Sequence, residues 1–376
     1  MIATAPAPPA SAPGIEYASQ WRLMWLRFCR HRLALVGLAL TAVVYLVALL
    51  AEFMAPFNPE RANARLVYHP PQMVHFVERL PDGGWAFGPY VHAFTMKRDP
   101  ATLKPTFVPD ESRKTRLDFF GRGDPYRLWG LISTDVHLLV PEDPKQMYFL
   151  FGSDRLGRDM LSRVVYGARI TMSLGLVGVL FSVVLGIVLG GLSGYYGGKL
   201  DWVVQRVIEY ILSLPTIPVW LALAAALPRN WSPQLQYFAI SVIISLVGWT
   251  ELARVVRGRF LAMRGEVFVT AARLDGCSEA RVIFRHMLPS LASHIIAAVS
   301  LAVPMMILAE TALSFLGLGL QPPAISWGVL LKEAQNIRSI AAAPWVFIPG
   351  IMVVITVLSL NFVGDGLRDA ADPYSH

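Results

Sequence analysis

ITMSLGLVGVLFSVVLGIVLGGLSG is the stretch from residue 170 to residue 194, and none of its 25 side chains is charged. An α-helix needs about 20 apolar residues to cross the roughly 30 Å of hydrocarbon in a bilayer, so this stretch predicts a membrane-spanning helix. Gly186, Gly190 and Gly194 recur within it every four positions. This spacing lets two membrane helices approach backbone to backbone, and it therefore predicts a packed bundle of helices in lipid.

Five further apolar stretches of similar length accompany this one, at 33–55, 204–227, 236–256, 292–317 and 344–364. The composition agrees, because 55% of the residues are hydrophobic and 16% are charged, whereas soluble domains carry about a quarter charged residues. Pro215 and Pro218 interrupt the third of the six stretches, but membrane helices tolerate proline where neighbouring groups satisfy the freed carbonyls. We predict an all-α membrane protein with six transmembrane helices.

The distribution of arginine and lysine predicts how the bundle is oriented. Short cytoplasmic loops of membrane proteins carry an excess of these residues. The short connections assigned to the outside carry only Arg229, Lys332 and Arg338. The segments assigned to the inside carry many more, namely Arg22, Arg27, Arg30, Arg32, Lys199, Arg206, Arg254, Arg257, Arg259, Arg264, Arg273, Arg281, Arg285 and Arg368. The bias predicts two cytoplasmic termini and accounts for the net charge of +7 without a nucleic-acid partner.

The sequence divides into five segments. Residues 1–20 are rich in Pro and Ala and predict a disordered cytoplasmic tail. Residues 21–57 hold the first helix, which is too long for a signal peptide and is not followed by a small-residue cleavage site. We assign 58–155 to an external insertion, 156–365 to the transmembrane core with a cytoplasmic loop at 257–291, and 366–376 to a cytoplasmic tail.

The insertion has a soluble, aromatic composition. Val74 and Phe76 before the turn residues 81–84, with Trp85 and Phe87 after them, predict a β-hairpin. We therefore expect a small external subdomain that contains strands. Its four histidines lack metal-ligand spacing and are expected to be polar surface residues: His69, His75, His92 and His137.

The cytoplasmic loop 257–291 has a helical pattern of its own. Glu266 to Leu274 predicts a short helix, Asp275 and Gly276 a stop, and Ser278 the cap of a second helix. A short helix held outside the membrane on two supports suits docking into a groove of a soluble partner. An ordinary surface helix is the alternative. The sequence contains no phosphate-binding loop, nucleophile elbow or H-E-x-x-H motif, so a transporter of this kind needs an ATPase from another chain.

Several motifs of this loop resemble a known family. Thr270-Ala271-Ala272, Gly276 and Leu288-Pro289 resemble the EAA loop of binding-protein-dependent ABC permeases, although Thr270 replaces the Glu of that motif and His286 stands where Ile is frequent. Arg285 to Pro289 is similar to the version in the peptide-importer branch. The resemblance implies a coupling helix that docks on the ATPase through Glu266, Val267, Phe268, Thr270, Ala271, Ala272, Arg273, Asp275 and Gly276.

A second motif precedes the second span. Residues 151–159, FGSDRLGRD, resemble the signature of C-type oligopeptide and dipeptide permeases, and 194–198, 309–317 and 364–369 fit the same branch. The positions that carry the motif are Gly152, Ser153, Asp154, Gly157, Arg158 and Asp159. We expect Ser153 or Asp154 to cap a helix. We expect Arg158 and Arg163 to reach lipid headgroups or acids of a partner.

Glu310 is the ionisable residue that stands out within a predicted span. An acid inside a membrane usually faces a polar interior or a pathway. Pro304 can kink the same helix, and Met305 and Met306 offer a deformable constriction. Met305, Met306 and Glu310 are therefore candidates for a pathway gate, with structural pairing to a neighbouring helix as the alternative for Glu310.

The resemblance implies the type I ABC importer permease fold and a set of partners in the bacterial inner membrane. These are a second homologous permease, two ATP-binding subunits and a periplasmic substrate-binding protein. No metal, cofactor or catalytic residue is implied for this chain. The implied substrate is a peptide or a similar solute such as an oligosaccharide, opine or nickel chelate. An ion-driven secondary transporter would show inverted repeats and midplane acids, and a membrane-anchored enzyme or sensor would need a catalytic group of residues in 58–155.

Overall fold

The structure is a computed structural model that describes residues 20–79, 85–98, 105–228 and 230–371. The predicted tail up to residue 19, the hairpin turn 81–84, Arg229 and residues 372–376 lie outside these ranges.

Within these ranges the chain is mostly helical. The α-helices in chain order are α1 Gln20–Phe28, α2 Arg32–Leu49, α3 Ala51–Met54, α4 Met160–Tyr196, α5 Gly198–Ser213, α6 Thr216–Ala225, α7 Pro233–Met263, α8 Val267–Leu274, α9 Glu279–Arg281, α10 Leu288–Ser290, α11 Ala292–Phe315, α12 Trp327–Leu331, α13 Ile337–Ala342 and α14 Ile348–Ala371. A π-helix covers Val282–Met287, and 3₁₀-helices cover Lys332–Gln335 and Pro344–Phe347. By length and apolar composition, α2, α4, α7, α11 and the stretch Pro344–Ala371 can each cross a membrane.

The third predicted span is a bent pair of helices. The axes of α5 and α6 differ by 90°. The cause is Pro215, which has no N–H to donate and keeps Leu214 extended, at φ −91° and ψ 139°. The stretch 204–227, which Pro215 and Pro218 interrupt in the sequence, is therefore a broken span and not one straight helix.

The packing of α4 on α7 shows in which direction the bent pair α5–α6 runs. Gly178 of α4 lies near Ser241 of α7, and Gly194 lies against Arg257, so the two helices run parallel. Two parallel helices in sequence require the segment between them to return the chain to the starting end. The pair α5–α6 thus returns the chain and, counted as one broken span, brings the candidate spans among the described residues to six.

The glycine pattern of α4 has the predicted role. A Cβ atom on Gly190 would lie 2.4 Å from the carbonyl oxygen of Ala253, and one on Gly194 would lie 2.7 Å from that of Arg257. Gly186 faces the side chain of Leu252 at 3.0 Å. The prediction that these glycines allow close helix packing is confirmed.

The bundle has two distinct ends. At the insertion end, α2 and α11 end and α4, α7 and α14 begin; the opposite end, where α8 lies, is called the loop end. The hydroxyl of Tyr196, at the end of α4, donates to Glu279 in the loop. Gly366 of α14 packs against Phe28 and Ala34. The first and last described helices therefore meet at the same end as the loop 257–291.

Strands form the insertion, as predicted. They are β1 His75–Arg79, β2 Trp85–Arg98, β3 Pro105–Phe119, β4 Arg122–Leu128, β5 Ile132–Val136 and β6 Leu139–Pro141. An antiparallel sheet has the order β1-β2-β3-β6, and β4 pairs with β5. Val77 pairs with Phe87 across the predicted hairpin, which is confirmed. The Trp129 indole donates to the carbonyl of Leu49, which ties the insertion to α2. The Glu52 carboxylate in α3 pairs with the Arg169 guanidinium and ties the segment before the insertion to α4.

The expectation of surface histidines is wrong for His69 and His137, which are buried. The His69 ring lies about 5 Å from the rings of Phe94, Phe107 and Phe149, and burial lowers the pKa of His69 to about 4. The His137 ring nitrogens lie 2.6 Å from the carbonyl oxygen of Ala55 and 2.8 Å from that of Asp124. Both histidines fill the interior of the insertion. Among the described residues, no cluster of three or more His, Cys, Asp or Glu could hold a metal ion.

Candidate functional site

The short helix α8 is the first part of the candidate site. It begins after Glu266, whose side chain makes no capping hydrogen bond, and ends at Asp275. Gly276 has φ +73°. The N–H of Cys277 donates to the carbonyl of Ala272 and that of Gly276 to Arg273, both at 3.1 Å. This pair of bonds is a Schellman motif, in which a left-handed glycine ends a helix. The predicted stop is confirmed, whereas Ser278 precedes α9 without a side-chain capping bond.

The two faces of α8 differ in burial. Val269 and Ala272 are buried and pack into the cluster that contains Tyr195, Val256 and Phe260. Apolar side chains nevertheless remain exposed on the other face, with Val267 and Leu274 each 83% exposed and Phe268 43% exposed. The remaining residues of the predicted docking set are also exposed: Glu266, Thr270, Ala271, Arg273, Asp275 and Gly276. The predicted set therefore forms one exposed face, except for Ala272.

Two contacts hold α8 and its loop against the end of α4. The Arg273 guanidinium lies 4.9 Å from the centre of the Tyr195 ring, a cation–π geometry. The Tyr196 hydroxyl donates to the Glu279 carboxylate at 2.7 Å. These contacts connect the loop to α4 through side chains.

An ion pair connects the same corner to the bent pair of helices. The Arg257 guanidinium of α7 donates to both carboxylate oxygens of Asp201 in α5, at 2.5 and 2.6 Å. The Ser193 hydroxyl, near the end of α4, donates to the same carboxylate at 2.5 Å. Two donors on one guanidinium hold the carboxylate in a fixed orientation. Three helices are therefore joined at one acid at the loop end.

The π-helix Val282–Met287 was not anticipated. Its signal in the sequence is Pro289, which cannot donate the backbone bond that a regular helix would need there. π-Helical turns occur frequently at functional positions. Val282 and Met287 are buried, while Phe284 is exposed and enlarges the apolar surface of the loop.

The motif 152–159 lies at the insertion end and is folded on itself. The buried Asp154 carboxylate accepts bonds from the backbone N–H of Leu156 and from the N–H and guanidinium of Arg158. Arg163 lies 3.6 Å from the same carboxylate. The two arginines thus contact an acid of this chain. Neither headgroups nor a partner's acid is needed to explain their position.

Asp159 is the residue that caps α4. Its carboxylate accepts from the N–H and the hydroxyl of Ser162, at 2.7 and 2.6 Å. Burial raises the pKa of Asp159 to about 6. The expectation that Ser153 or Asp154 caps the helix is wrong, because the chain reverses through Gly157, at φ +69°, before the helix begins.

The same motif joins three separate parts of the chain. The Ser153 hydroxyl accepts from the N–H of His69 and donates to the carbonyl of Leu66 in the insertion. The Trp345 indole donates to the carbonyl of Ser153 at 2.9 Å. A Cβ atom on Gly152, at φ +74°, would lie 2.5 Å from that indole. The motif is therefore a joint between the insertion, α4 and the segment that precedes α14.

Glu310 is fully buried in α11 and accepts hydrogen bonds from three hydroxyls. Ser326 donates at 2.7 Å, Ser314 at 2.8 Å and Thr171 at 3.5 Å. Each hydroxyl also accepts from one backbone N–H, those of Val329, Leu320 and Trp327 respectively. A hydroxyl has a single proton, so each of the three directs that proton to Glu310.

This network has a structural consequence. It fixes α12, and the loop that follows α11, to α4 and α11. The gate candidates differ in burial. Met306 is buried against Gly178 and Gly248, whereas Met305 is 61% exposed.

Comparisons with known proteins cover most of the chain. The family model described as binding-protein-dependent transport system inner membrane component matches residues 182–374. The model of the N-terminal TM domain of oligopeptide transport permease C matches residues 19–71. The strands of the insertion lie between the two matched regions.

Curated relatives are similar over comparable lengths. The oligopeptide transport system permease protein OppC of Escherichia coli strain K12 is 41% identical over 241 residues, which is 64% of this chain and 77% of that protein. OppC of Haemophilus influenzae is 37% identical over 64% of this chain and 75% of its own length. The dipeptide transport system permease protein DppC of Bacillus subtilis is 37% identical over 59% and 68%. A solved structure of the MetNI methionine ABC transporter is 18% identical, with a TM-score of 0.45, and covers 57% of this chain and 98% of that one.

Proposed function

This chain belongs to the family of binding-protein-dependent transport system inner membrane components, and from that premise we propose that it forms one half of the pathway of an ATP-driven peptide importer. A second, homologous permease would supply the other half. The relatives named above are permeases for oligopeptides and dipeptides, which supports a peptide substrate. A separate binding protein would select the peptide and deliver it to the insertion end.

The proposed orientation has the loop end in the cytoplasm and the insertion in the periplasm. The loop end carries the arginines that precede α2 and those between α7 and α11. Cytoplasmic loops are the ones that retain such charges. The insertion is a long translocated segment, and segments of that length cross largely regardless of their charge.

The observation that carries the proposal is the exposed apolar face of α8. Val267, Phe268 and Leu274 lie on a helix whose opposite face is anchored in the bundle. Burying such side chains in a groove of a partner is favourable by about 1.5–3 kcal/mol each. We infer that two separate ATPase subunits dock here and under the second permease, and that this chain hydrolyses no ATP itself.

The contacts around α8 support a route for coupling. Closure of the ATPases on ATP would push α8, and the contacts of Arg273 with Tyr195 and of Glu279 with Tyr196 would pass the displacement to α4. The pair of Asp201 with Arg257 would pass it to the bent helices α5 and α6. The predicted gate at Met305, Met306 and Glu310 would respond to that movement.

The experiment replaces Leu274 with serine in the complete importer. The matched control is Ile337→Ser, because Ile337 is 81% exposed at the opposite end of the bundle. We expect Leu274→Ser to weaken ATPase docking by ~10-fold or more, which corresponds to the burial of one leucine. Co-purification with the ATPases and ATP-driven uptake in proteoliposomes measure this effect. Equal behaviour of the two variants would refute docking at α8.

The same proteoliposomes separate this proposal from an ion-driven transporter. An importer driven by ATP requires ATP and its ATPase subunits, and dissipating the proton gradient leaves uptake intact. If uptake ignored ATP depletion and followed the proton gradient, the proposed function would be wrong.

A further inference from the structure

A cavity opens at the insertion end between the end of α6, the first turns of α7 and the segment from Gly317 to Lys332. Its volume is about 400 Å³. This volume is within the range of small-ligand sites, which combine apolar walls with a few polar groups. Here Ala224, Ile240 and Leu318 provide apolar lining, and Gln236, Gln321 and Lys332 provide the polar groups.

The cavity has a cationic group without an acidic partner. The Lys332 ammonium lies 3.5 Å from the amide oxygen of Gln321. It also lies 2.8 Å from the position that a Cβ atom on Gly317 would take, so it covers the glycine backbone. In the part of the chain that the structure describes, no ion pair involves this lysine. The neighbouring Glu333 carboxylate instead accepts from the N–H of Arg155.

One wall of the cavity is held rigidly. The Ser314 hydroxyl accepts from the N–H of Leu320, and the Gln321 amide donates to the carbonyl of Gly317 at 2.5 Å. Ser314 is in turn fixed by Glu310. Binding sites depend on such outer contacts, which hold the contacting groups in place before the ligand arrives.

The other wall belongs to a broken helix. The cavity borders the last residues of α6, after the 90° bend. Non-helical backbone at membrane depth is tolerated where it lines a water-filled cavity, and transporters form substrate sites at interrupted helices. The glycines 317 and 319 extend this irregular backbone along the opposite wall.

We propose that this cavity is the subsite on the outward side that receives the C-terminal carboxylate of the incoming peptide. The Lys332 ammonium pairs with the carboxylate, which is ionised in every free peptide at neutral pH. The amides of Gln236 and Gln321 hydrogen-bond to the peptide backbone. The inference rests on the proposed peptide importer and adds the group of the substrate that this chain recognises.

The test uses the reconstituted importer and two forms of one peptide, with a free carboxylate and with a C-terminal amide. Each form of the peptide is supplied at a concentration that saturates the binding protein. The variants are Lys332→Gln, Lys332→Arg and, as a matched control, Arg338→Gln, which removes another exposed cation at the same end. We expect Lys332→Gln to lower uptake of the free peptide ~10-fold, the effect of losing one hydrogen bond to a charged group. Uptake of the amide should not change, and Lys332→Arg and Arg338→Gln should behave as wild type.

The other outcomes overturn the inference in distinguishable ways. If Lys332→Gln lowered uptake of both forms equally, or of neither, the lysine would not read the carboxylate, while the importer itself would stand. If Lys332→Gln failed to co-purify with the second permease, the lysine would belong to the subunit interface. If the wild-type complex took up neither form with ATP, the proposed function would be wrong, and the inference with it.

Discussion

Replacing Gly190 with alanine tests the close approach of α4 and α7. The new Cβ atom would lie 2.4 Å from the carbonyl oxygen of Ala253 and 2.8 Å from its Cα atom. Both atoms belong to the backbone of α7, so no side-chain rotation relieves the clash. The helices would have to separate by about 1 Å to restore an ordinary contact.

The expected magnitude follows from a comparison with Gly258→Ala. Gly258 is also helical, but a Cβ atom there would meet nothing within 4 Å. Both substitutions gain about 1 kcal/mol of helix propensity, which cancels in the difference between them. Overpacking costs about 1–3 kcal/mol, so Gly190→Ala should be less stable than Gly258→Ala by about that amount.

Equilibrium unfolding of the purified permease in mixed micelles, followed by far-ultraviolet circular dichroism, measures both free energies of unfolding. Wild type should lie between the two variants or close to Gly190→Ala. If the two variants differed by less than ~0.5 kcal/mol, a typical surface effect, the reasoning about backbone contact would be refuted.

Three further predictions concern single residues. Glu310→Gln should lower the free energy of unfolding by about 1–3 kcal/mol in the same assay, because the amide nitrogen that replaces one carboxylate oxygen cannot accept the proton of the hydroxyl it faces; no loss would contradict the proton assignment. Burial lowers the pKa of His69 to about 4. Protonation of this buried ring should make the insertion progressively less stable as the pH falls from 6.5 through 4, by roughly 3 kcal/mol at most. Hydrogen exchange of β2 should show this loss of stability, and the loss should be smaller in His69→Gln. Identical pH profiles for wild type and His69→Gln would argue against a role of His69. Gly276→Ala should cost about 1 kcal/mol at φ +73° and weaken co-purification with the ATPases, whereas Gly265→Ala, also free of close contacts, should not.

The parts of the fold that were predictable depend on local pattern. Uninterrupted apolar runs identified the membrane helices, and the spacing of Gly186, Gly190 and Gly194 identified a packing face, because both signals lie within one helix. The strands on either side of residues 81–84 were predicted from alternation and turn residues. The resemblance to oligopeptide and dipeptide permeases, read from short motifs, is confirmed by the family models and the relatives.

The parts that were not predictable depend on contacts between distant segments. Pro215 was compatible with a kinked span or a right-angled bend, and the 90° angle between α5 and α6 decides between them. His69 and His137 are buried because strands and loops far along the chain cover them. Two of the three donors to Glu310, Thr171 of α4 and Ser326 at the cap of α12, are distant in the sequence, so most of its surroundings leave no signature near residue 310. Asp159 caps α4 because the residues before it are used in the joint.

The meeting of α2 with α14 has a consequence for how the protein is made. Gly37 lies so close to α14 that a Cβ atom there would be 2.5 Å from the carbonyl oxygen of Ser359, yet these residues are roughly 320 positions apart in the chain. At about 5–20 residues per second, a ribosome needs on the order of 15–60 s to pass from one to the other. During that time α2 must remain inserted by its own hydrophobicity, with the face that later packs on α14 covered only by lipid. The packing surface of α2 is therefore completed only when α14, which follows it by roughly 320 residues, has been made.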